Sequence, residues 1–73
     1  MHAVILSIGD ELVLGQTVDT NSAFLSAELA TMGIGTLYHQ TVADDQPTIA
    51  TAIRQASLSA QLVLISGGLG PTD

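Results

Sequence analysis

The segment Val4-Ile5-Leu6-Ser7-Ile8, followed at once by Gly9-Asp10-Glu11, sets a pattern that recurs along the 73-residue chain. It is an apolar run without alternation, which is typical of a parallel strand covered by helices on both faces. Two further runs end in a similar way, residues 36–43 in Asp44-Asp45 and residues 62–65 in a glycine-rich turn. Three parallel strands are therefore predicted, with their carboxyl ends at one edge of the sheet, where open α/β sheets bind ligands.

The first predicted helix lies between strands one and two. It begins at the capping residues Asp19-Thr20-Asn21 and continues to Met32. Gly33 is expected to end it in a left-handed conformation. Apolar residues at helical spacing predict a core stripe of Leu25, Leu29 and Met32, with Phe24 and Ala27 beside it.

The second predicted helix starts at Pro47, with Asp45 or Gln46 as its cap. Its apolar residues follow the i, i+3, i+4, i+7 pattern, namely Ile49, Ala52, Ile53 and Ala56. Strands one and three are wholly apolar and are expected to be central, whereas the more polar second strand suits an edge. The prediction is a three-layer α/β/α domain over residues 1–73, with a mainly parallel βαβαβ sheet in the order 2-1-3.

The sequence stops directly after the glycine-rich turn, where a βαβ pattern would continue into another helix and strand. Strand three would then keep one open apolar side, which proteins normally cover. We therefore expect the chain to be the front part of a larger domain, incomplete at its C-terminus. A homo-oligomer would also cover this side, although no residue pattern requires one.

Composition and charge exclude several classes of protein. Apolar residues make up 47% of the chain and charged residues 11%, which indicates a packed rather than a disordered protein. Arg54 is the only Lys or Arg, and the net charge is -6. Because nucleic acids and anionic membranes are bound largely through Lys and Arg, neither partner is expected.

The sequence offers no export signal and no soft metal ligand. The start has no basic segment, and no apolar run approaches the ~20 residues that span a bilayer, so a cytoplasmic location is expected. Since the chain has no cysteine, no thiolate or haem site is predicted. The two histidines lack a zinc-site spacing, and Ser7 and Ser66 lack the hydrolase elbow motif.

A phosphate-bearing ligand on so acidic a chain must be held by backbone N–H groups and by a cation gripped by carboxylates. The turn Ser66-Gly67-Gly68-Leu69-Gly70-Pro71-Thr72 suits the first task, because its glycines allow positive φ and a concave array of N–H groups. It has neither the lysine of the P-loop nor the GxGxxG spacing. The alternative is a tight strand-to-helix turn without a ligand.

The acidic turns suit the second task. Asp10 and Glu11 are candidate ligands of a divalent cation, or partners of a ligand hydroxyl group, and the alternative is a solvated turn. Asp44 and Asp45 would complete a magnesium site, and their alternative role is to end a strand and cap a helix. For the segment Asp19-Thr20-Asn21, capping the first helix is an alternative to ligand binding.

Taken together, these motifs resemble the opening of the CinA family (competence/damage-inducible protein A). The match runs through the whole chain in order, over Ile8-Gly9-Asp10-Glu11-Leu12, Gly15, Asp19-Thr20-Asn21-Ser22, Asp44-Asp45 and Gly67-Gly68-Leu69-Gly70-Pro71-Thr72. The region is also similar to the wider molybdopterin-binding superfamily, which includes the molybdenum cofactor adenylyltransferases and insertases.

The resemblance implies a three-layer α/β domain with a pocket for a nucleotide or pterin phosphate, and a metal-dependent ADP-ribose pyrophosphatase activity. Two departures stand out: Ala43 replaces the usual glycine before the paired aspartates, and the two aspartates that follow the loop in the family are absent after Asp73. Many members also carry a separate C-terminal domain that deamidates nicotinamide mononucleotide, and this activity is not expected of these 73 residues.

The site hypothesis assigns metal binding to Asp10 and Glu11 (Mg²⁺ or a similar ion) and catalysis to Asp44 and Asp45. Contacts to a small phosphate ligand, a nucleotide or a pterin, are assigned to Gly9, Asp19, Asn21, Ser66, Gly67, Gly68, Gly70 and Thr72. Two other functions stay open. One is a molybdopterin- or nucleotide-binding module without turnover, and the other is an inactive truncated product.

Overall fold

Three strands and three helices alternate along the chain in the computed structural model, which describes residues 1–15 and 20–67. The elements are β1 (His2–Ile8), α1 (Asp10–Val13), α2 (Thr20–Thr31), β2 (Gly35–Val42), α3 (Gln46–Ser59) and β3 (Leu62–Gly67). The predicted strands agree with these bounds to within two residues at each end. The one-turn helix α1 is new, since the sequence indicated only a turn after the first strand.

The sheet is parallel and has the strand order β2-β1-β3, which confirms the predicted 2-1-3 topology. Ile8 is level with Val42 on one side and with Gly67 on the other, so the three carboxyl ends lie at the same height. Among the described strands, β1 alone has neighbours on both sides. The apolar strand β3 was expected to be central, but it is an edge strand of the described sheet. Its residue Ile65 is accordingly 49% exposed.

Successive side chains of β1 enter two different cores. Val4, Leu6 and Ile8 pack in a cluster with residues of α3. Ala3 and Ile5 pack on the opposite face with Leu29 of α2. Both faces of β1 are thus covered, which explains its lack of polar alternation and produces the three layers. Each large apolar side chain fully buried here contributes on the order of 1.5–3 kcal/mol.

Helix α3 packs as predicted. Ala52 and Ala56 are buried, and Ile49 and Ile53 are partly buried against the same cluster. Pro47 lies in the first turn, where its missing N–H costs no hydrogen bond. The i, i+3, i+4, i+7 spacing therefore identified the buried face of this helix correctly.

Helix α2 buries only part of the predicted stripe. Leu29 is buried and Leu25 partly buried, but Met32 and Phe24 are 65% and 62% exposed. The inward face instead includes Ser22 and Ser26, whose hydroxyl groups bond to strand residues. The prediction of a stripe through Met32 was wrong because two of the inward positions are polar and Met32 lies beyond the last helical residue.

The end of α2 follows the sequence prediction. Gly33 has a φ of +79°, the left-handed conformation expected after the last turn. The N–H of Ile34 donates to the carbonyl of Leu29 at 3.0 Å and closes the helix end. Within residues 1–15 and 20–67, no helix has the length and apolar character needed to cross a bilayer.

Candidate functional site

The carboxyl edge of the sheet, defined here as residues 8–11, 42–45 and 66–67, brings together the ends of all three strands. The N–H of Gly9 donates to the carbonyl of Val42 at 3.0 Å, one residue beyond the last β1–β2 pair. The chain then turns into α1 without a side-chain cap. Backbone hydrogen bonds between the strands therefore set the relative positions of the strand ends at this edge.

Asp10 links two of the acidic turns. Its Oδ1 atom accepts a hydrogen bond of 3.0 Å from the backbone N–H of Asp44, a residue 34 positions further along the chain. Asp10 is exposed at the first position of α1. The predicted meeting of the first and second turns is thus present as a direct contact.

Glu11 takes another course from Asp10. A β-carbon added to Gly9 would lie 2.7 Å from the Oε1 atom of Glu11, so this carboxylate folds back over the Gly9 backbone. The carboxylate of Asp10 therefore bonds to the second turn, whereas the carboxylate of Glu11 lies against its own turn.

Asp45 is the N-cap of α3. Its Oδ2 atom accepts hydrogen bonds from the backbone N–H of Thr48 at 3.1 Å and from the Thr48 hydroxyl at 2.5 Å. These bonds, the hydroxyl first and the N–H second, lower the pKa of Asp45 below the usual 3.8 despite slight desolvation. The carboxylate is thus committed to a helix end, the alternative role that the sequence allowed for it.

Asp45→Asn tests this cap through pH. Because the pKa of Asp45 is lowered in the folded state, its stabilisation is fully present above the unfolded pKa and is lost as pH falls through the folded pKa. The asparagine variant keeps a neutral cap at every pH. We expect the wild-type chain to melt above the variant at neutral pH, and the gap in Tm to close as pH falls below 3.8. A gap that stays constant during acidification would contradict this role.

The predicted set of four metal-binding acids is not assembled as one cluster. Within residues 1–15 and 20–67, no group of three or more His, Cys, Asp or Glu side chains is placed to hold a metal ion. Asp10 and the Asp44 backbone are in contact, whereas Asp45 faces Thr48. The part of the edge described here therefore offers one carboxylate in contact with the second turn rather than a cage of four.

The third strand end joins the site through α2. The side-chain amide of Asn21 donates to the Ser66 hydroxyl at 2.6 Å. This bond brings together two of the residues predicted to contact a ligand. Asp19, Gly68, Gly70 and Thr72, which were predicted to contact it as well, lie outside the described residues.

Gly67 closes the third strand against the first. Its φ is +78°, and an added β-carbon would lie 2.5 Å from the carbonyl oxygen of Ile8. A side chain is excluded here by contact with backbone as well as by conformation. The predicted positive φ in the glycine-rich turn is therefore found at its first glycine.

Ser7 and Ser22 are functional candidates to which the sequence analysis assigned no role. Their hydroxyl oxygens lie 2.7 Å apart in the interior, joining β1 to the first turn of α2. They are the buried polar residues among those described, with exposures of 1% and 2%. A serine inside an apolar strand is a weak signal, and Ser7 stands in no hydrolase motif.

An open hollow of about 660 Å³ adjoins the edge beside the start of α3. Its lining combines two polar side chains with four apolar ones, and consists of Asp44, Gln46, Pro47, Ile49, Ala50 and Ile53. The hollow gives the edge a mixed polar and apolar flank.

The family model for the "Probable molybdopterin binding domain" matches residues 4–73. The chain therefore belongs to this family, and within it to the CinA family. The match covers the whole carboxyl edge described above and every residue of the two cores except Ala3.

Relatives and a solved structure agree with this assignment. A protein from Geobacter metallireducens described as CinA-like is 51% identical over 73 residues, and a competence-damage inducible protein from Levilactobacillus brevis is 50% identical over 72. The crystal structure of CinA from Thermoplasma acidophilum, a protein whose function is given as unknown, superposes with a TM-score of 0.92 at 39% identity. That alignment covers 97% of this chain and 42% of the other. The chain spans only 17–18% of the length of the two sequence relatives.

Proposed function

We propose that the carboxyl edge forms part of a binding site for a small phosphate-bearing molecule, a nucleotide or a pterin. The observation that carries this proposal is the contact between Asp10 Oδ1 and the Asp44 N–H, at the level where Ile8 is paired with both neighbouring strands. Polar groups from separate turns converge there, at the edge where open α/β sheets bind ligands. Membership of a molybdopterin-binding family supports the same class of ligand.

The charge of the chain limits how such a ligand is held. The net charge is -6, and the single arginine, Arg54, is exposed in α3 rather than at the carboxyl edge. A phosphate group therefore needs backbone N–H groups and a neutralising cation. The same charge balance argues against a nucleic acid or an anionic membrane as partner.

Asp10 is the residue that best fits a magnesium ion in the described part of the site. Magnesium usually keeps several waters and takes one or two carboxylates together with substrate phosphates. Asp10, with Asp44 beside it, meets that requirement without a four-acid cage, and Glu11 is the next candidate. A bound divalent ion would supply neutralisation of charge on phosphoryl oxygens. Asp10 would hold the ion, and the N–H of Asp44 would hold Asp10.

Hydrolysis of a pyrophosphate such as ADP-ribose is proposed for the longer protein rather than for these residues alone. Asp44 is the described acid best placed to act beside a ligand, since it adjoins Asp10. The assignment of Asp45 to catalysis stays a prediction, and its place in the α3 cap argues for a supporting role.

Binding without turnover is the second candidate function. It is favoured by the absence of a three-acid cluster within residues 1–15 and 20–67. A module that only holds a pterin or nucleotide needs one ion and a set of N–H donors, whereas hydrolysis also needs an activated water. Tight binding of ADP-ribose with magnesium, and no release of AMP, would favour this alternative.

Asp10→Asn tests the proposal by calorimetric titration of ADP-ribose with and without Mg²⁺. The asparagine keeps an oxygen that can accept from the Asp44 N–H, but it removes the charge that binds the ion. We expect magnesium-dependent binding by the wild-type chain and a loss of roughly tenfold or more in affinity for the variant, about 1.4 kcal/mol.

Glu28→Gln is the matched control. It removes the same charge from the exposed middle of α2, away from the carboxyl edge. Its affinity should equal that of the wild-type chain. Equal losses in the two variants would mean that net charge alone matters, and binding unaffected by Asp10→Asn would refute the assignment of the ion to Asp10.

A further inference from the structure

Helix α2 is attached to the sheet by side-chain hydrogen bonds as well as by apolar packing. Asn21 bonds to Ser66 of β3, Ser22 to Ser7 of β1, and Ser26 to Thr36 of β2, at distances of 2.6, 2.7 and 2.9 Å. One helix is thus tied to each of the three strands. Hydrogen bonds depend on direction and apolar contacts do not, so these bonds specify where the helix sits along the sheet.

Apolar contacts alone would hold the first turn of α2 loosely. The buried apolar residue of the helix is Leu29, with Leu25 partly buried, and both lie beyond the first turn. Near the carboxyl edge, the inward side chain is the polar Ser22. The position of the first turn therefore depends on polar contacts.

The buried pair Ser7–Ser22 and the exposed pair Asn21–Ser66 differ in how strongly they restrain the position of α2 on the sheet. The bond from Asn21 to Ser66 is exposed, so water competes for both groups. The bond between Ser7 and Ser22 is buried, so water does not compete for this contact. Burying two hydroxyls is also poor for stability, because apolar side chains of the same shape would be as good or better. The buried pair is better explained by the geometry that it imposes.

We propose that Ser7 and Ser22 are positioning residues, whose buried hydrogen bond places Asn21 against Ser66 at the carboxyl edge. The proposal rests on the proposed function in one respect, namely that Asn21 and Ser66 face the ligand. Ser22 directly follows Asn21, so a displacement of the helix backbone at Ser22 displaces Asn21 as well. Neither serine touches the ligand in this account.

The test measures the chemical shifts of the Asn21 side-chain amide in a ¹H–¹⁵N correlation spectrum. These shifts report the hydrogen bond from Asn21 to Ser66, and no ligand is needed to observe them. In Ser7→Ala, we expect the Asn21 amide signals to move toward the positions of a solvated asparagine. Affinity for ADP-ribose with Mg²⁺ should fall roughly tenfold, because a misplacement on the order of 1 Å is costly at a binding site. Ser22→Ala should give the same two changes.

Ser26→Ala is the matched control on the same helix. It removes the bond to Thr36, which lies near the amino end of β2 and thus at the opposite edge of the sheet. A purely structural role for these bonds predicts similar effects for the variants at residues 7 and 26. The positioning role predicts that Ser26→Ala lowers Tm while leaving the Asn21 signals and the affinity unchanged.

Two outcomes would overturn the proposal. One is a folded Ser7→Ala chain whose Asn21 signals stay in place, and the other is an equal shift in Ser26→Ala. Should Ser7→Ala not fold, Ser7→Cys fills the position with a weakly bonding thiol, and the same signals decide the question. Failure of the wild-type chain to bind ADP-ribose would count against the proposed function alone, since the Asn21 signals need no ligand.

Discussion

Replacing Gly67 by alanine is expected to lower the free energy of unfolding by about 3 kcal/mol or more, combining left-handed strain with a backbone clash. The added β-carbon would lie 2.5 Å from the carbonyl oxygen of Ile8, a contact that no side-chain movement can relieve. A chain of 73 residues has a total stability on the order of 4–11 kcal/mol. The variant should therefore lose a large share of its stability or lose the end of the β1–β3 pairing, and the midpoint of urea denaturation measures the effect.

Gly33→Ala separates the two causes. Gly33 has nearly the same φ, +79° against +78°, but an added β-carbon there would meet nothing within 4 Å. Its cost should be only the left-handed strain, about 1–2 kcal/mol. Equal losses for the two variants would show that the approach of Gly67 to Ile8 is not what requires glycine.

Leu6→Ala is expected to lower the free energy of unfolding by about 2–5 kcal/mol. Leu6 is fully buried in the cluster between β1 and α3, so truncation removes apolar contacts and leaves a cavity. The midpoint of urea denaturation should fall accordingly, and a large fraction of the chain should be unfolded without denaturant if the total stability is near its lower bound.

Leu58→Ala is the control for the same chemical change. Leu58 is 85% exposed at the end of α3, so its truncation should alter stability by less than about 0.5 kcal/mol. A loss at position 6 as small as the loss at position 58 would mean that the three-layer packing is wrong.

The parallel sheet could be predicted because its signals are local. The apolar run of β1 lacks alternation since both of its faces are covered, and Pro47 and Asp45 mark the start of α3 by their own chemistry. The strand order also followed from the apolar or polar composition of each strand, although β3 is an edge strand of the described sheet.

Apolar spacing identified only part of the inward face of α2, namely Leu25 and Leu29. Its inward face carries Ser22 and Ser26, whose partners Ser7 and Thr36 lie in different strands and 15 and 10 residues away. A hydroxyl is buried only when its partner is in place, and the sequence does not reveal such pairs. Met32 satisfies the helical spacing but lies past the last turn, and it is exposed.

The candidate site was predicted in outline and not in detail. The meeting of the acidic turns follows from topology, and the contact of Asp10 with Asp44 agrees with it. The role of each acid does not follow from the sequence, because an aspartate such as Asp45 suits both an ion-binding site and a helix N-cap. The contact with Thr48 places it in the cap.

Amide hydrogen exchange on the wild-type chain, with and without Mg²⁺ and ADP-ribose, tests the central claim most directly. We expect ligand to slow exchange at Gly9, Asp44 and Gly67, at the carboxyl edge, and to leave the amino ends of the strands near Gly35 and Leu62 unchanged. Exchange rates that ligand leaves unchanged at every amide, or protection confined to the amino ends of the strands, would contradict a phosphate-binding site at this edge.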